Sequence, residues 1–136
     1  MTNNCVFCAI REKEIPAFVL HEDELFMAIL DRFPATPGHV LIIPKRHAAN
    51  IFELNETEAA ALMPLAKRMA AQIQTTLNPI GLNLLQNNGK AAGQVVFHFH
   101  LHLIPRYEND NGFEITHPSQ DTPPEELQKM ADKLKL

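Results

Sequence analysis

Apolar runs at 17–20 and 25–30 stand on either side of the polar stretch His21, Glu22, Asp23 and Glu24, a pattern that predicts a β-hairpin. Ahead of them, residues 5–10 have room for a single helical turn. Pro34, Pro37 and Gly38 make 32–38 a loop, and the uninterrupted apolar run 40–43, closed by Pro44, predicts a third, central strand. Asn55 followed by Glu58 has the spacing of a capping box, with Asn55 in the Ser/Thr role, and Leu62, Leu65, Met69 and Ile73 then recur at helical spacing. A long amphipathic helix is therefore expected to about Leu77, stopped by Asn78 and Pro79. Pro64 lacks an N–H and is expected to kink that helix or delay its start. Residues 82–86 predict a fourth strand, the Asn- and Gly-rich 87–94 a loop, and 95–104 a fifth strand. From 106 to 121 the chain is polar and without apolar period. Thr122 as N-cap, Pro123 in the first helical position and Glu125 then open a last helix with Leu127, Met130 and Leu134 on one face.

Five strands and two helices on 136 residues fit one α+β domain, 1–136, with room for a real core. The composition, 46% apolar and 21% charged, is that of an ordinary folded protein. A formal charge of −4 argues against DNA or long RNA as a partner and leaves a single small nucleotide open. No stretch approaches the ~18 apolar residues of a membrane span, and the start has neither a basic region nor a signal-like apolar core, so a cytoplasmic location without membrane partners is expected. The only cysteines, Cys5 and Cys8, are too close together to staple a fold. Their C-x-x-C spacing reads as a metal or redox motif, and a thioredoxin-like motif would need a strand ahead of it, where only four residues exist.

The most informative segment is His98, Phe99, His100, Leu101, His102, Leu103. Its strict alternation predicts a strand with three imidazoles on one face and the apolar residues packed behind. At ~3.3 Å per residue, successive histidines lie roughly 6.6 Å apart, whereas zinc sits ~2.0–2.3 Å from its ligand atoms. Two neighbours can share an ion, but three cannot without bending the strand, so at least one imidazole is left for chemistry.

HFHLHLIPR resembles the signature of the histidine triad family, and the likeness extends from CVFCAI through LDRFPATPGHVLIIPKRH and NNGKAAGQVV to IPRY, weakening after about Tyr107. The resemblance implies a five-stranded antiparallel sheet with one long helix, two subunits joining into a ten-stranded sheet, hence a homodimer. It further implies a nucleotide hydrolase or transferase that cleaves small nucleotide conjugates at the α-phosphate. In that reading His100 is the nucleophile that carries the nucleotidyl group, and His102 contacts phosphate or leaving group as a protonated imidazole. The nucleophile's other nitrogen would donate to a carbonyl of a regular strand.

By the same resemblance Asp31 holds the ribose hydroxyls, Asn87 and Gln94 contact phosphate or leaving group, and Phe7, Ile10 and Ile29 wall the base. The bland readings are an Asx turn for Asp31, loop capping for the two amides and ordinary core for the three apolar residues. Cys5, Cys8, His47 and His98 would close a structural zinc site. His39 matches a recurrent family position and would buttress the triad, while His21 and His117 fall in loop-like sequence and are given no role. Two departures separate this chain from the phosphoramidase branch: Val95 stands where serine is usual, and Pro105 where a glycine pair is. The competing readings are a nucleotide-binding regulatory module with little turnover, and a metalloenzyme with a catalytic ion, which no acidic pair near the histidines supports.

Overall fold

The computed structural model describes residues 4–111 and 119–136. His117 and much of the polar segment 106–121 lie outside them. The chain runs α1 (Val6–Arg11), β1 (Val19–Glu22), β2 (Phe26–Leu30), β3 (Val40–Pro44), α2 (Glu56–Leu77), β4 (Gly81–Leu85), β5 (Leu101–Arg106) and α3 (Pro124–Leu134), with one 3-10 turn at Lys90–Ala92. The five strands form one sheet in the order β1-β2-β3-β5-β4, every neighbouring pair antiparallel. This is the expected α+β architecture, and β3 is the central strand.

Alternation along the strands builds a core on each face of the sheet. Phe26, Ala28, Val40, Ile42, Leu101 and Leu103 meet Leu65, Ala66, Met69 and Ile73 of α2. Met27, Ile29, Leu41 and Ile43 meet Phe7 and Ile10 of α1 on the other. Covered on both sides, β3 has every residue buried, which is why its sequence is apolar without alternation.

The capping box forms as expected. The Asn55 side chain accepts from the Glu58 N–H at 2.8 Å, and the Glu58 carboxylate accepts from the Asn55 N–H at 3.0 Å. Helix α2 accordingly starts at Glu56 and continues through Pro64 without interruption. The expected delay is absent because Pro64 and Ala60, whose carbonyl loses its partner, are both exposed, so water replaces the missing bond. At the other end Asn78 takes a left-handed conformation, φ 49°, and closes the helix.

Several boundaries differ from expectation: β1 is shifted to Val19–Glu22, which places His21 in a strand and not in loop-like sequence. Helix α3 begins one residue later, with Pro123 as a cap that makes no side-chain bond and Pro124 in the first helical position; Thr122 instead donates to the Gln120 carbonyl. The fifth strand begins at Leu101, not at residue 95. The pairing of β3 with β5 ends at Ile42 and Leu101, and residues 95–100 meet the segment after β3 through contacts such as Phe99 N–H to the Ala48 carbonyl at 2.7 Å. His98 and His100 therefore precede the strand, and only His102 of the three lies in it.

The loop 32–38 is fastened to the end of β5. Thr36 Oγ1 donates to the Pro105 carbonyl at 2.5 Å and the Tyr107 hydroxyl to the Pro37 carbonyl at 2.7 Å. Gly38, at φ +86°, has no room for a side chain: a Cβ there would strike Leu77 Cδ1 and lie 3.4 Å from Pro105. Gly38→Ala is expected to lower the unfolding free energy by about 1–3 kcal/mol, through the left-handed backbone and the displaced Leu77. Chemical denaturation measures it, and an unchanged midpoint would show that the loop adapts.

Candidate active site and metal centre

The first turn of α1 presents two sulfurs. Cys5 is its N-cap, with Sγ accepting from the Cys8 N–H at 3.3 Å, and Cys8 follows on the buried side. His47, just after β3, and His98, just before β5, bring one nitrogen each to the same point. Cys5 Sγ lies 3.2 Å and Cys8 Sγ 3.5 Å from His98 Nδ1; Cys8 Sγ is 3.4 Å from His47 Nδ1, and the two Nδ1 atoms are 3.1 Å apart. Around a tetrahedral zinc with bonds of ~2.0–2.3 Å, ligand atoms would be spaced about 3.3–3.8 Å, within a few tenths of an ångström of the observed separations, so the donor set fits such an ion.

Protonation agrees with that fit. His98 Nε2 faces the Pro44 carbonyl at 2.7 Å. A carbonyl only accepts, so Nε2 carries the proton and Nδ1 keeps its lone pair for the metal, the usual arrangement of a ligating histidine. Burial, chiefly, holds His98 down at about 4, and burial followed by the neighbouring Cys5 pushes the Cys8 thiol up to about 11. An ion entering here would displace the Cys8 proton.

A second group, Asp31, His39 and His102, also has its polar atoms close together. Its hydrogen bonds make it a different device. The Ala35 N–H donates to His39 Nδ1 at 3.0 Å, so His39 carries its proton on Nε2. That nitrogen is 2.8 Å from His102 Nδ1 and 3.4 Å from Asp31 Oδ2. The one ring lone pair of His39 is taken by the Ala35 N–H and is not open to a metal, and His102, accepting at Nδ1, keeps its own proton on Nε2. The group is a chain of directed hydrogen bonds from the backbone to the outer nitrogen of His102.

Burial first, then the neighbouring His100 and His39, hold His102 down at about 4. The ring is thus neutral near pH 7, unlike the protonated imidazole expected from sequence, because it is buried among other imidazoles and reaches Asp31 only through His39. The folded state resists a proton that the unfolded chain accepts near 6.5. The contribution of His102 to stability is therefore complete above about pH 6.5 and is lost as pH falls toward about 4. His102→Gln should flatten that part of the profile in denaturation experiments at stepped pH; an identical slope would assign the acid sensitivity to other groups.

His100 is fixed by a different carbonyl. Its Nδ1 lies 2.8 Å from the His98 carbonyl, so Nδ1 carries the proton and Nε2 is left with a lone pair. A regular strand was expected to offer that carbonyl. In fact the bend at His98 frees it from the ladder and turns it toward the residue two positions on. The Phe7 ring packs edgewise at 5.1 Å from the His100 ring, and the His100 and His102 rings are 4.9 Å apart.

The remaining expected site residues divide. Phe7, Ile10 and Ile29 come together in the α1-side core, where the Phe7 ring packs against the His98 and His100 rings. Asp31 makes its Asx turn, Oδ1 accepting from the Phe33 N–H at 2.8 Å, while Oδ2 faces His39. Gln94 is buried and committed to the loop: Oε1 accepts from the Gly89 N–H at 2.7 Å, and Nε2 donates to the Ala49 and Val96 carbonyls at 2.6 and 3.0 Å. With both amide donors engaged it braces the loop. The Asn87 amide is half-buried and makes no hydrogen bond to the described residues. Sequence reasoning missed Arg46, which bonds Glu58 at 2.6 and 3.1 Å and so ties the segment carrying His47 to the start of α2. Glu58 was legible only as a cap, because no local signal pairs residues twelve apart.

A family model described as HIT domain matches residues 12–109, a span that begins after α1 and its cysteines. The chain is 38% identical over 131 residues to adenosine 5'-monophosphoramidase hnt1 of Schizosaccharomyces pombe, covering 96% of each protein. It superposes on the crystal structure of a HIT family protein from Bacillus anthracis with a TM-score of 0.93 at 42% identity, over 97% of this chain and 95% of the other. A Zn-bound histidine triad family protein from Mycobacterium smegmatis is similar with a TM-score of 0.77 at 38% identity, over 88% and 86% of the two chains.

Proposed function

The chain belongs to the HIT domain family, and from that premise we propose that it cleaves small nucleotide conjugates at the α-phosphate, forming a nucleotidyl intermediate on His100. The observation that carries this reading is the 2.8 Å bond from His100 Nδ1 to the His98 carbonyl, which leaves the Nε2 lone pair free to act as the nucleophile. Attack of Nε2 on phosphorus breaks the bond to the leaving group and places a positive charge on the ring, which the same carbonyl stabilises through Nδ1–H. Water then cleaves the P–N bond and restores the neutral imidazole. His102, with its proton on Nε2, donates a hydrogen bond to a phosphoryl oxygen as a neutral group. Asp31 Oδ2 and the Asn87 amide are the side chains assigned to ribose and phosphate. Substrates of the phosphoramidate or dinucleoside polyphosphate class follow from this chemistry, and the name of the fission yeast relative supports the former.

Cys5, Cys8, His47 and His98 are assigned to one zinc ion. When bound, it supplies structure alone, since four protein ligands leave no position for water or substrate. The zinc-bound mycobacterial relative supports that choice of metal.

Rapid quench with an adenylated substrate, followed by intact-protein mass measurement, tests the mechanism. A mass increase of one nucleotidyl group, absent in His100→Ala, is expected. Tight nucleotide binding with no adduct and no turnover would replace the enzyme by a binding module.

The homodimer is part of the same proposal. Strand β4 ends the sheet with an unpaired edge, and Ile80 and Leu84 there are exposed, as is Met63 of α2. Pairing of two β4 edges would complete a ten-stranded sheet and cover them. Sedimentation at micromolar concentration should give twice the chain mass; a monomer there refutes it. No helix among the described residues is long and apolar enough to cross a membrane. The two free thiols support the cytoplasm as the place of action.

A further inference from the structure

We propose that Cys5 and Cys8 are a peroxide-sensitive pair whose oxidation to a disulfide opens the metal centre and loosens the nucleotide pocket; the second half rests on the nucleotide reading above. One short helix carries both sets of groups. Within the six residues of α1, Phe7 and Ile10 pack in the pocket-side core, while the N-cap Cys5 and Cys8 face His47 and His98. A helix of this length has no stability of its own. It is held by the Cys–His cluster, by the packing of Phe7 and Ile10, and by Arg11 Nη1 donating to the Lys45 carbonyl at 2.5 Å.

The two sulfurs are positioned to join. All four donor atoms of the cluster lie within 4.8 Å of one another, and the Cys8 N–H already points at Cys5 Sγ. Side chains three apart on a helix have Cβ atoms about 5–6 Å apart, and reaching the ~3.5–4.5 Å of a disulfide takes a shift of the Cys5 backbone, which as the extended N-cap at φ −91° and ψ 112° stands outside the helix. Cys5 is half-exposed and Cys8 buried, so Cys5 is the sulfur that meets an oxidant from solvent.

The oxidant is hydrogen peroxide. The Cys5 thiolate attacks one peroxide oxygen, the O–O bond breaks, and Cys5 becomes a sulfenic acid as hydroxide leaves. The Cys8 thiolate then attacks that sulfur, forming the S–S bond and expelling a second hydroxide. Two electrons pass from the two thiolates to one peroxide, and solvent protons convert the hydroxides to water. With both thiolates consumed, His47 and His98 alone cannot retain zinc, which needs four ligands. His98 stays anchored through Nε2 to Pro44, so His100 keeps its carbonyl. The loss therefore falls on the wall formed by Phe7 and Ile10, and on affinity more than on the chemical step.

The test uses the zinc-loaded full chain, stoichiometric hydrogen peroxide, and adenosine monophosphate as the probe ligand. Zinc release is followed with a chromogenic chelator, the N-terminal peptide ending at Arg11 by mass spectrometry, and nucleotide affinity by calorimetry. One zinc is expected to leave per intrachain disulfide, the Kd for adenosine monophosphate to rise about tenfold, and dithiothreitol with zinc to reverse both. A sulfinic acid or an intermolecular disulfide in place of the intrachain bond overturns the proposal, as does a disulfide that leaves the Kd unchanged. Reduced, zinc-loaded protein that binds no adenosine monophosphate overturns the nucleotide reading instead; disulfide formation with zinc release then still decides the opening of the metal centre.

Discussion

His100→Ala is expected to lower turnover by about three orders of magnitude or more while nucleotide affinity changes only a few-fold. The substitution removes the lone pair that attacks phosphorus and, beside it, the ring contacts with Phe7 and His102. His98 keeps its bond to Pro44, and the chain from Ala35 through His39 to His102 involves no atom of His100. Phe7 loses one ring contact and keeps its place among Ile10, Met27, Ile29, Leu41 and Ile43. Steady-state kinetics beside a binding titration separates the two effects. Near wild-type turnover would end the covalent mechanism, and a collapse of affinity in step with turnover would show that His100 binds more than it reacts.

Replacing both Cys5 and Cys8 by serine is expected to remove about one zinc per chain and to lower thermal stability substantially. A ligand present at a thousand times its dissociation constant stabilises by about 4 kcal/mol, which for a domain of this size corresponds to roughly 10–15 °C in Tm. Activity should fall as well, since α1 carries Phe7, yet by far less than in His100→Ala, because His98, whose carbonyl orients His100, keeps its bond to Pro44 when the metal is gone. Elemental analysis of protein purified without added metal or chelator, with thermal denaturation of both forms, decides it. A zinc-free wild-type protein as stable as the variant would reduce the pair to two thiols beside two imidazoles.

What could be read from sequence depended on how far apart the interacting groups lie. The capping box at Asn55 and Glu58, the apolar run of β3 and the stop at Asn78 are local and were read correctly, with element edges within a few residues except at β5. There, the alternation of His98 to Leu103 suggested a longer strand because periodicity reports side-chain facing and not ladder pairing; the ladder with β3 ends at Ile42 and Leu101, short of residues 95–100. Gln94 shows the same limit. Its amide is chemically suited to a phosphate, but the Gly89 N–H and the carbonyls of Ala49 and Val96 claim it, and that depends on a segment 45 residues away. The tautomer chain ending at His102 was equally hidden, since it starts from a backbone N–H that no residue type reveals.

The Arg46–Glu58 pair closes a loop of only 12 residues, whereas Cys5 meets His98 across 93. Short closures cost less chain entropy and form earlier, long ones later. The start of α2 and the segment bearing His47 would then belong to the part of the molecule that organises first, and α1 to the part that docks last, onto a sheet already built. In native-state hydrogen exchange the amides of α1 should open at lower free energy than those of β3, and a nascent chain emerging from the ribosome would complete the Cys–His cluster only once residue 98 had been made.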